Sequence, residues 1–345
     1  VQQIPFYLKG ANELRTSKPR LWLIWEENYM QVKEIQSLYF VLLGNVKKVM
    51  IGGEEVFTLI LSALLSGGHV LLEDNPGTGK TTMAKALASS MDAKFRRVQF
   101  TPDLMPQDIT GLNIFSQKDG EFHFVEGPVF TNILLADEIN RATPRTQSAL
   151  LQAMEEEEVT VDGKTYHLQK PFLVIATENP IETTGTFPLP EAELDRFLVK
   201  LTMGDLSSED EVSILARFMK ESPLEELSAV ASSEKLVEAA SSIKDVLVKK
   251  EVQEYIVNLS RATRLDSRIM TGVSPRASLS LMRMSQAFAA ISGRDFVTPD
   301  DVRYLAPFVF AHRIIASTGT AGLQEARALV KDVVAKVNVP TEKFQ

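Results

Sequence analysis

The 345-residue chain contains no cysteine. Disulfides, thiolate metal sites and a cysteine nucleophile are therefore excluded, and the absence fits a reducing, cytoplasmic setting. Histidine is scarce as well: His69, His123, His167 and His312 are scattered, with no metal-ligand spacing. No run approaches the roughly 18–20 apolar residues of a membrane span. The N-terminal stretch RLWLIWEENYM has only five apolar residues in a row before Glu26, too few for the h-region of about 7–15 residues in a secretory signal. Positive charge is not in excess: 37 Lys and Arg against 45 Asp and Glu give a net charge of -8. That balance argues against a chain that wraps nucleic acid non-specifically, which needs clustered cations on phosphates. One glycine is also missing. The strict phosphate-loop pattern G-x-x-x-x-G-K-[ST], ending here on Gly79-Lys80-Thr81, requires glycine at position 74, and the chain has Asp74.

What is present is the composition of a soluble globular protein, 44% apolar and 24% charged, long enough for about two domains. Residues 1–37 hold both tryptophans, Trp22 and Trp25, and show no clean period; they read as an arm of unknown role. From Leu38 the apolar spacing predicts a helix to Met50, a turn at Ile51-Gly52-Gly53, and a second helix from Glu54 to Ser66. A short strand from His69 to Leu72 leads into the glycine-rich loop, and a helix follows from Thr81 to Met91. Buried strands are expected at 95–100, 133–136 and 172–177, with a shorter one at 197–201. Short apolar runs alternating with helices predict an α/β fold built on a parallel sheet covered on both faces. Two segments break the rhythm as hairpins: 113–125 around Lys118-Asp119-Gly120, and 159–168 around Asp162-Gly163. After position 205 the pattern is almost entirely helical, with breaks at Pro223, Ser274-Pro275 and Thr298-Pro299; Thr298 reads as an N-cap with Pro299 at the first helical position. The chain thus divides into an α/β unit over 38–204 and a smaller all-helical unit over 205–345.

The loop lies between a strand and a helix, the context its chemistry requires. Asn75, Pro76, Gly77, Thr78, Gly79, Lys80, Thr81 and Thr82 form the candidate phosphate cradle. The two glycines let successive amides point at phosphate oxygens, and the helix that follows adds its positive end. Lys80 would reach the β and γ phosphates, and the Thr81 hydroxyl would bind Mg²⁺. About 55 residues later, ILLADE is a strand ending in two acids. Asp137 suits the metal, and Glu138 suits a general base that activates water. A third strand, FLVIATENP, ends at Asn179, placed to hydrogen-bond the attacking water or the γ-phosphate.

Together with the loop, LLADEINRA, TPRTQSALLQAMEE, VIATENPIETTGTFPLPEAELDRF and GVSPRA resemble the MoxR family of AAA+ ATPases. The resemblance runs from about Leu38 to His312. It implies an AAA+ P-loop core with helix-2 and pre-sensor-1 hairpin insertions, followed by a helical lid. It implies ATP and Mg²⁺ as ligands and a homo-oligomeric ring, a hexamer in the family pattern. It also implies that Arg196, in LDRF, is the arginine finger of the adjacent subunit's site, and that Arg276, in GVSPRA, is the second sensor arginine, acting either on its own or on a neighbour's nucleotide. Ile51 and Gly52 resemble the backbone that meets adenine, although the family's Gly-Gln is Gly52-Gly53 here. Arg141 is open between an intersubunit contact and a local salt bridge, and Glu155 to Glu158 read most simply as a solvated helix end.

By the same resemblance the output is chaperone-like remodelling or maturation of a partner, which often carries a von Willebrand factor A domain, and the task is often metal-cofactor insertion. Two other readings stand beside it. A nucleic-acid motor of the related hairpin-bearing clade would carry a basic, aromatic hairpin tip, whereas this tip is Val161-Asp162-Gly163-Lys164-Thr165. A nucleotide-gated scaffold that barely turns over would not need the complete hydrolytic set.

Overall fold

The computed structural model describes residues 30–74, 77–179, 185–204, 207–218, 224–319 and 322–340. Trp22, Trp25, Asn75, Pro76 and Pro223 lie outside them. Two helices come first, α1 (Val32–Val46) and α2 (Glu54–Leu65). The first starts earlier than the expected Leu38 and so reaches into the segment read as an arm. Glu34 accepts from the Gln31 amide at 2.9 Å in a reciprocal capping box, which ties off the helix start. Ile35 is buried against the core, and the Met30 amide donates to Ser242 Oγ at 2.8 Å.

The α/β unit then runs through β1 (Val70–Glu73), α3 (Lys80–Ser90), β2 (Phe95–Gln99), a short α4 (Pro106–Thr110), the hairpin β3 (Gly111–Ser116) and β4 (Glu121–Glu126), and β5 (Ile133–Asp137). It continues with α5 (Pro144–Glu156), the hairpin β6 (Glu158–Val161) and β7 (Lys164–His167), β8 (Leu173–Glu178), a short α6 (Glu191–Leu194) and β9 (Val199–Leu201). Strands β2-β5-β8-β1-β9 form one sheet in that order, every pairing parallel. At the tip of the second hairpin Asp162 and Gly163 both take positive φ, 50° and 78°, as a two-residue type I′ turn requires.

The sheet's side chains sort by the period of two. Val70, Leu72, Ile133, Leu135, Leu173 and Ile175 enter one apolar cluster with α1, α2 and α3. Leu71, Leu134, Ala136, Val174 and Ala176 enter the other, with α5 and the hairpins. The expected buried strand at 95–100 is instead a sheet edge: β2 exposes Arg96, Arg97 and Gln99, because among the described residues only β5 pairs with it. The C-terminal unit contains α7 (Ser208–Phe218), α8 (Ser233–Ser242), α9 (Lys250–Leu265), α10 (Pro275–Ile291), α11 (Pro299–Phe310) and α12 (Leu323–Lys336). It also holds a small antiparallel pair that the helical pattern concealed, β10 (Ile269–Thr271) with β11 (Ile315–Ala316). Thr298 caps α11 as expected, accepting from the Asp301 amide while Asp301 accepts in return. Leu281, Met284, Leu305 and Val309 join the same apolar cluster as α1–α3, so the helical unit and one sheet face share a core.

His69 is part of that packing and not a ligand. Its Nδ1 accepts from the Val174 amide and its Nε2 donates to Met154 O, both at 3.0 Å, which fixes a neutral imidazole. Burial holds its pKa down to about 4, from 6.5. Between these two values the unfolded chain binds a proton that the folded chain refuses, so stability falls as pH falls. Buried His312 is shifted the same way, first by burial and then by Arg313. Denaturant unfolding is expected to show a loss of about 2 kcal/mol or more between pH 7 and pH 5, with a shallower slope for His69→Gln.

Candidate functional site

The carboxyl ends of β1, β5 and β8 open on one cleft of about 320 Å³. Its walls bring together most of the residues singled out from sequence: Gly77, Gly79, Lys80, Thr81, Thr82, Asp137, Glu138 and Asn179. Gly77 and Gly79 have φ of 88° and 89°, a conformation that costs a side-chain-bearing residue. Thr78 sits between them. Gly79 also caps α3, whose amino end faces the same space. Ile51 and Gly52, expected to meet adenine, are not among the residues that line the cleft; the preceding Met50 reaches the loop, its Cε 3.4 Å from where a Cβ on Gly79 would stand.

Asp74 is accounted for by its contacts. Its amide donates to Glu178 O at 3.2 Å, its carboxylate accepts from the Met203 amide at 2.6 Å, and its carbonyl accepts from Lys80 Nζ at 2.8 Å. No positive φ is needed there, and the acid ties the loop to the chain leaving β9. Burial lowers the Lys80 pKa, opposed by the charges of Asp74, Asp137 and Glu138.

Thr177 was not anticipated and joins the two acids. Its hydroxyl donates to Asp137 Oδ1 at 2.7 Å and accepts from the Glu138 amide at 2.8 Å. The signal was available: Thr177 and Asn179 are two apart on the same strand end, so they share a face. Glu138 stands in the left-handed region, φ 57° and ψ 50°, at a cost of about 1–2 kcal/mol. Its carboxylate accepts from Gln99 Nε2 at 2.7 Å and pairs with Arg141 Nε at 3.0 Å. Arg141 thus makes the local salt bridge. Arg97 meets Asp137 Oδ2 through Nε at 3.0 Å and Nη2 at 2.5 Å. Gln99 lies opposite Asp137 in the β2–β5 register, and Arg97 is two residues back on the same face. Behind the cleft Lys200 bridges Glu73 at 2.6 Å and Glu178 at 3.1 Å. Burial disfavours its charge, but the two acids outweigh it and the net shift is upward.

The chemistry of the donor set suits Mg²⁺. A carboxylate and a hydroxyl, Asp137 and Thr81, line the cleft, and Asp137 Oδ1 keeps a second lone pair beyond its bond from Thr177, while Oδ2 takes both bonds from Arg97. Mg²⁺ characteristically takes one or two such protein ligands and completes its shell with water and phosphate oxygens.

The two predicted arginines are not in this cleft either. Arg196, after α6, pairs through Nε with Glu155 Oε2 at 3.3 Å, and Arg276, in the first turn of α10, pairs with Glu155 Oε1 at 3.0 Å. Glu155 is therefore no plain solvated helix end: one carboxylate holds both arginines on the outer surface of the chain.

Residues 69–199 match the family described as "ATPase family associated with various cellular activities (AAA)", and residues 261–333 match the AAA lid domain. The chain is 40% identical over 280 residues to Chaperone MoxR1 of Mycobacterium tuberculosis (strain ATCC 25618 / H37Rv), covering 79% of this chain and 74% of that one. It belongs to the MoxR family of AAA+ ATPases. Another relative, Uncharacterized protein YeaC of Bacillus subtilis (strain 168), is 48% identical over 301 residues, 87% of this chain and 94% of that one. A crystal structure of an inferred ATPase from Cytophaga hutchinsonii superposes with a TM-score of 0.81 at 35% identity, over 90% of this chain and 98% of that one. The MoxR-type chain binds nucleotide and is an ATP hydrolase. Among the described residues, no helix is long and apolar enough to cross a membrane.

Lys80→Ala is expected to abolish ATP binding in a fluorescent-nucleotide titration. Asp74→Gly should hold affinity within a few-fold yet lose about 1 kcal/mol of stability, because the Met203 amide loses its acceptor. Thr177→Val should lower turnover about 10- to 100-fold by freeing Asp137 and Glu138, measured by phosphate release at saturating ATP.

Proposed function

We propose that the chain is one subunit of a homo-oligomeric ring, a hexamer by family pattern, that hydrolyses ATP to remodel or mature a partner protein. In this reading residues 38–204 form the nucleotide-binding core and 205–345 the lid. The convergence of Lys80, Thr81, Asp137, Glu138 and Asn179 on one cleft carries the reading. Water attacks the γ-phosphorus in line, Glu138 takes its proton, and the β–γ bridging bond breaks with its electron pair leaving on ADP. Asn179 aligns the water, and Lys80 offsets charge on the phosphates. Asp137 and Thr81 would hold Mg²⁺, which when bound neutralises charge across the β and γ oxygens.

Arg196 supplies the remaining positive charge to a neighbouring subunit, since in its own chain it lies outside the cleft on Glu155. Arg276 does the same or closes on its own nucleotide when the lid moves. The hairpins suit a protein partner: Phe115 and Phe122 are exposed on β3 and β4 with ring centroids 5.2 Å apart. A domain of the von Willebrand factor A type, and a metal-cofactor insertion task, are the partner and output that family membership favours. The nucleic-acid reading has less support. The second tip offers a single lysine, Lys164, which lies over the Tyr166 ring close to the acid Asp162, itself accepting from Asn113.

Mixing tests the ring. Lys80→Ala subunits keep the finger and Arg196→Ala subunits keep the cradle; each alone should turn over about 10³-fold or more below wild type. Mixed, they should recover measurable phosphate release, because some intact sites then face intact fingers. No recovery on mixing, or a monomeric Glu138→Gln protein in saturating ATP, would overturn the proposal.

A further inference from the structure

The segment that carries Arg196 is gripped by one buried guanidinium of the lid. Arg313, just after α11, has a side chain only 2% exposed. Its Nε donates to Asp195 Oδ1 at 2.6 Å; its Nη2 donates to Asp195 O at 3.2 Å and Phe197 O at 2.7 Å. Its Nη1 donates to Leu198 O at 3.1 Å and to Val309 O one turn back on its own helix. A guanidinium has five N–H donors, and all five are used. Four of the five acceptors lie in residues 195–198, on both sides of the proposed finger.

Other lid residues reinforce the grip. His312 Nε2 donates to Phe197 O at 3.0 Å, and the Ser274 hydroxyl donates to Asp195 Oδ2 at 3.4 Å. Ser274 is also the N-cap of α10, the helix that carries Arg276. The backbone on either side of Arg196 is thus fixed from the lid, while the Arg196 side chain projects to the surface.

We propose that Arg313 is a positioning residue for ATP hydrolysis: it sets, from the lid, the backbone that aims Arg196 at the neighbouring subunit's nucleotide. The proposal rests on the trans-acting assignment of Arg196. A purely structural tie would move stability and leave turnover of the folded, assembled ring alone. A positioning residue moves kcat and leaves nucleotide affinity alone, and its effect disappears once the finger is gone.

Four proteins decide it: wild type, Arg313→Lys, Arg196→Ala and the double variant. Each is measured at a protein concentration where light scattering shows full assembly, and well below its unfolding midpoint. Lysine keeps the charge but has three donors, so it cannot hold all five acceptors. Arg313→Lys is expected to lower kcat about 10- to 100-fold, to leave the affinity of a fluorescent ATP analogue within a few-fold, and to add nothing in the Arg196→Ala background. Where Arg313→Lys does not fold, Asp195→Asn, which keeps shape and removes the charge pair, is expected to show the same pattern with a smaller loss. Wild-type kcat in a folded, assembled Arg313→Lys or Asp195→Asn protein overturns the proposal while the finger stands. A double variant that loses the product of both single effects overturns it as well. Arg196→Ala at wild-type turnover overturns the finger assignment and the proposal with it.

Discussion

Parallel strands pair through evenly spaced, slanted hydrogen bonds, and here that register brings the ends of β5 and β8 to one level, with Ala136 opposite Ala176. The residues just past that pair are Asp137 and Glu138 on one strand and Thr177 on the other. Thr177 can then donate to the Asp137 carboxylate and accept from the Glu138 amide with a single hydroxyl. A slip of one residue would turn Thr177 to the other face of the sheet. The apolar pattern forbids such a slip, because Leu134, Ala136, Val174 and Ala176 would exchange cores with their neighbours. The register of a buried sheet therefore sets the geometry of two acids in the cleft, and Glu138 can be held in its left-handed conformation by what surrounds it.

The electrostatics of the cleft follow from that geometry. Asp74, Asp137 and Glu138 face it, and each already has a defined partner: the Met203 amide, Arg97, and Gln99 with Arg141. Lys80 approaches from the loop side with its charge partly desolvated, and its Nζ donates to the Asp74 carbonyl. A strongly charged phosphate chain offers this ammonium and the loop amides more than a carbonyl does. The first position of the loop pattern tolerates an acid because its carboxylate is taken up by the Met203 amide, on the chain leaving β9. The departure from the strict motif is a structural tie.

Much of this was legible because the signals are local. Glycine, lysine and threonine at fixed spacing between a strand and a helix, an apolar run ending in two acids, and Asp-Gly between alternating residues each describe a few consecutive positions. The family resemblance then added Arg196 and Arg276, which no spacing could identify. What escaped depended on contacts distant in sequence. β2 reads as a buried strand by its apolar content, yet its position at the sheet edge is decided by which neighbour is absent. The start of α1 depended on a capping glutamate read as part of an arm. Arg313 and Glu155 look like ordinary charged residues until the lid folds against the core 118 and 121 positions away in the chain.

Those two charged residues contact the same segment around Arg196, and magnitudes decide between them. Glu155 is 41% exposed, as are its partners Arg196 and Arg276 to a similar degree. Exposed ion pairs contribute about 0.2–1 kcal/mol and weaken with salt, so Glu155 can bias the two arginines but cannot fix them. Arg313 is buried, fully hydrogen-bonded and charge-paired; breaking such an arrangement costs about 3–5 kcal/mol. The apolar cluster that α10 and α11 share with α1–α3 and one sheet face holds the whole arrangement still. The backbone on either side of Arg196 is therefore held by the lid's buried guanidinium, while the Arg196 side chain rests on a weak, exchangeable surface contact. That division suits the trans-acting role proposed for Arg196, which needs a fixed backbone and a side chain free to change partners.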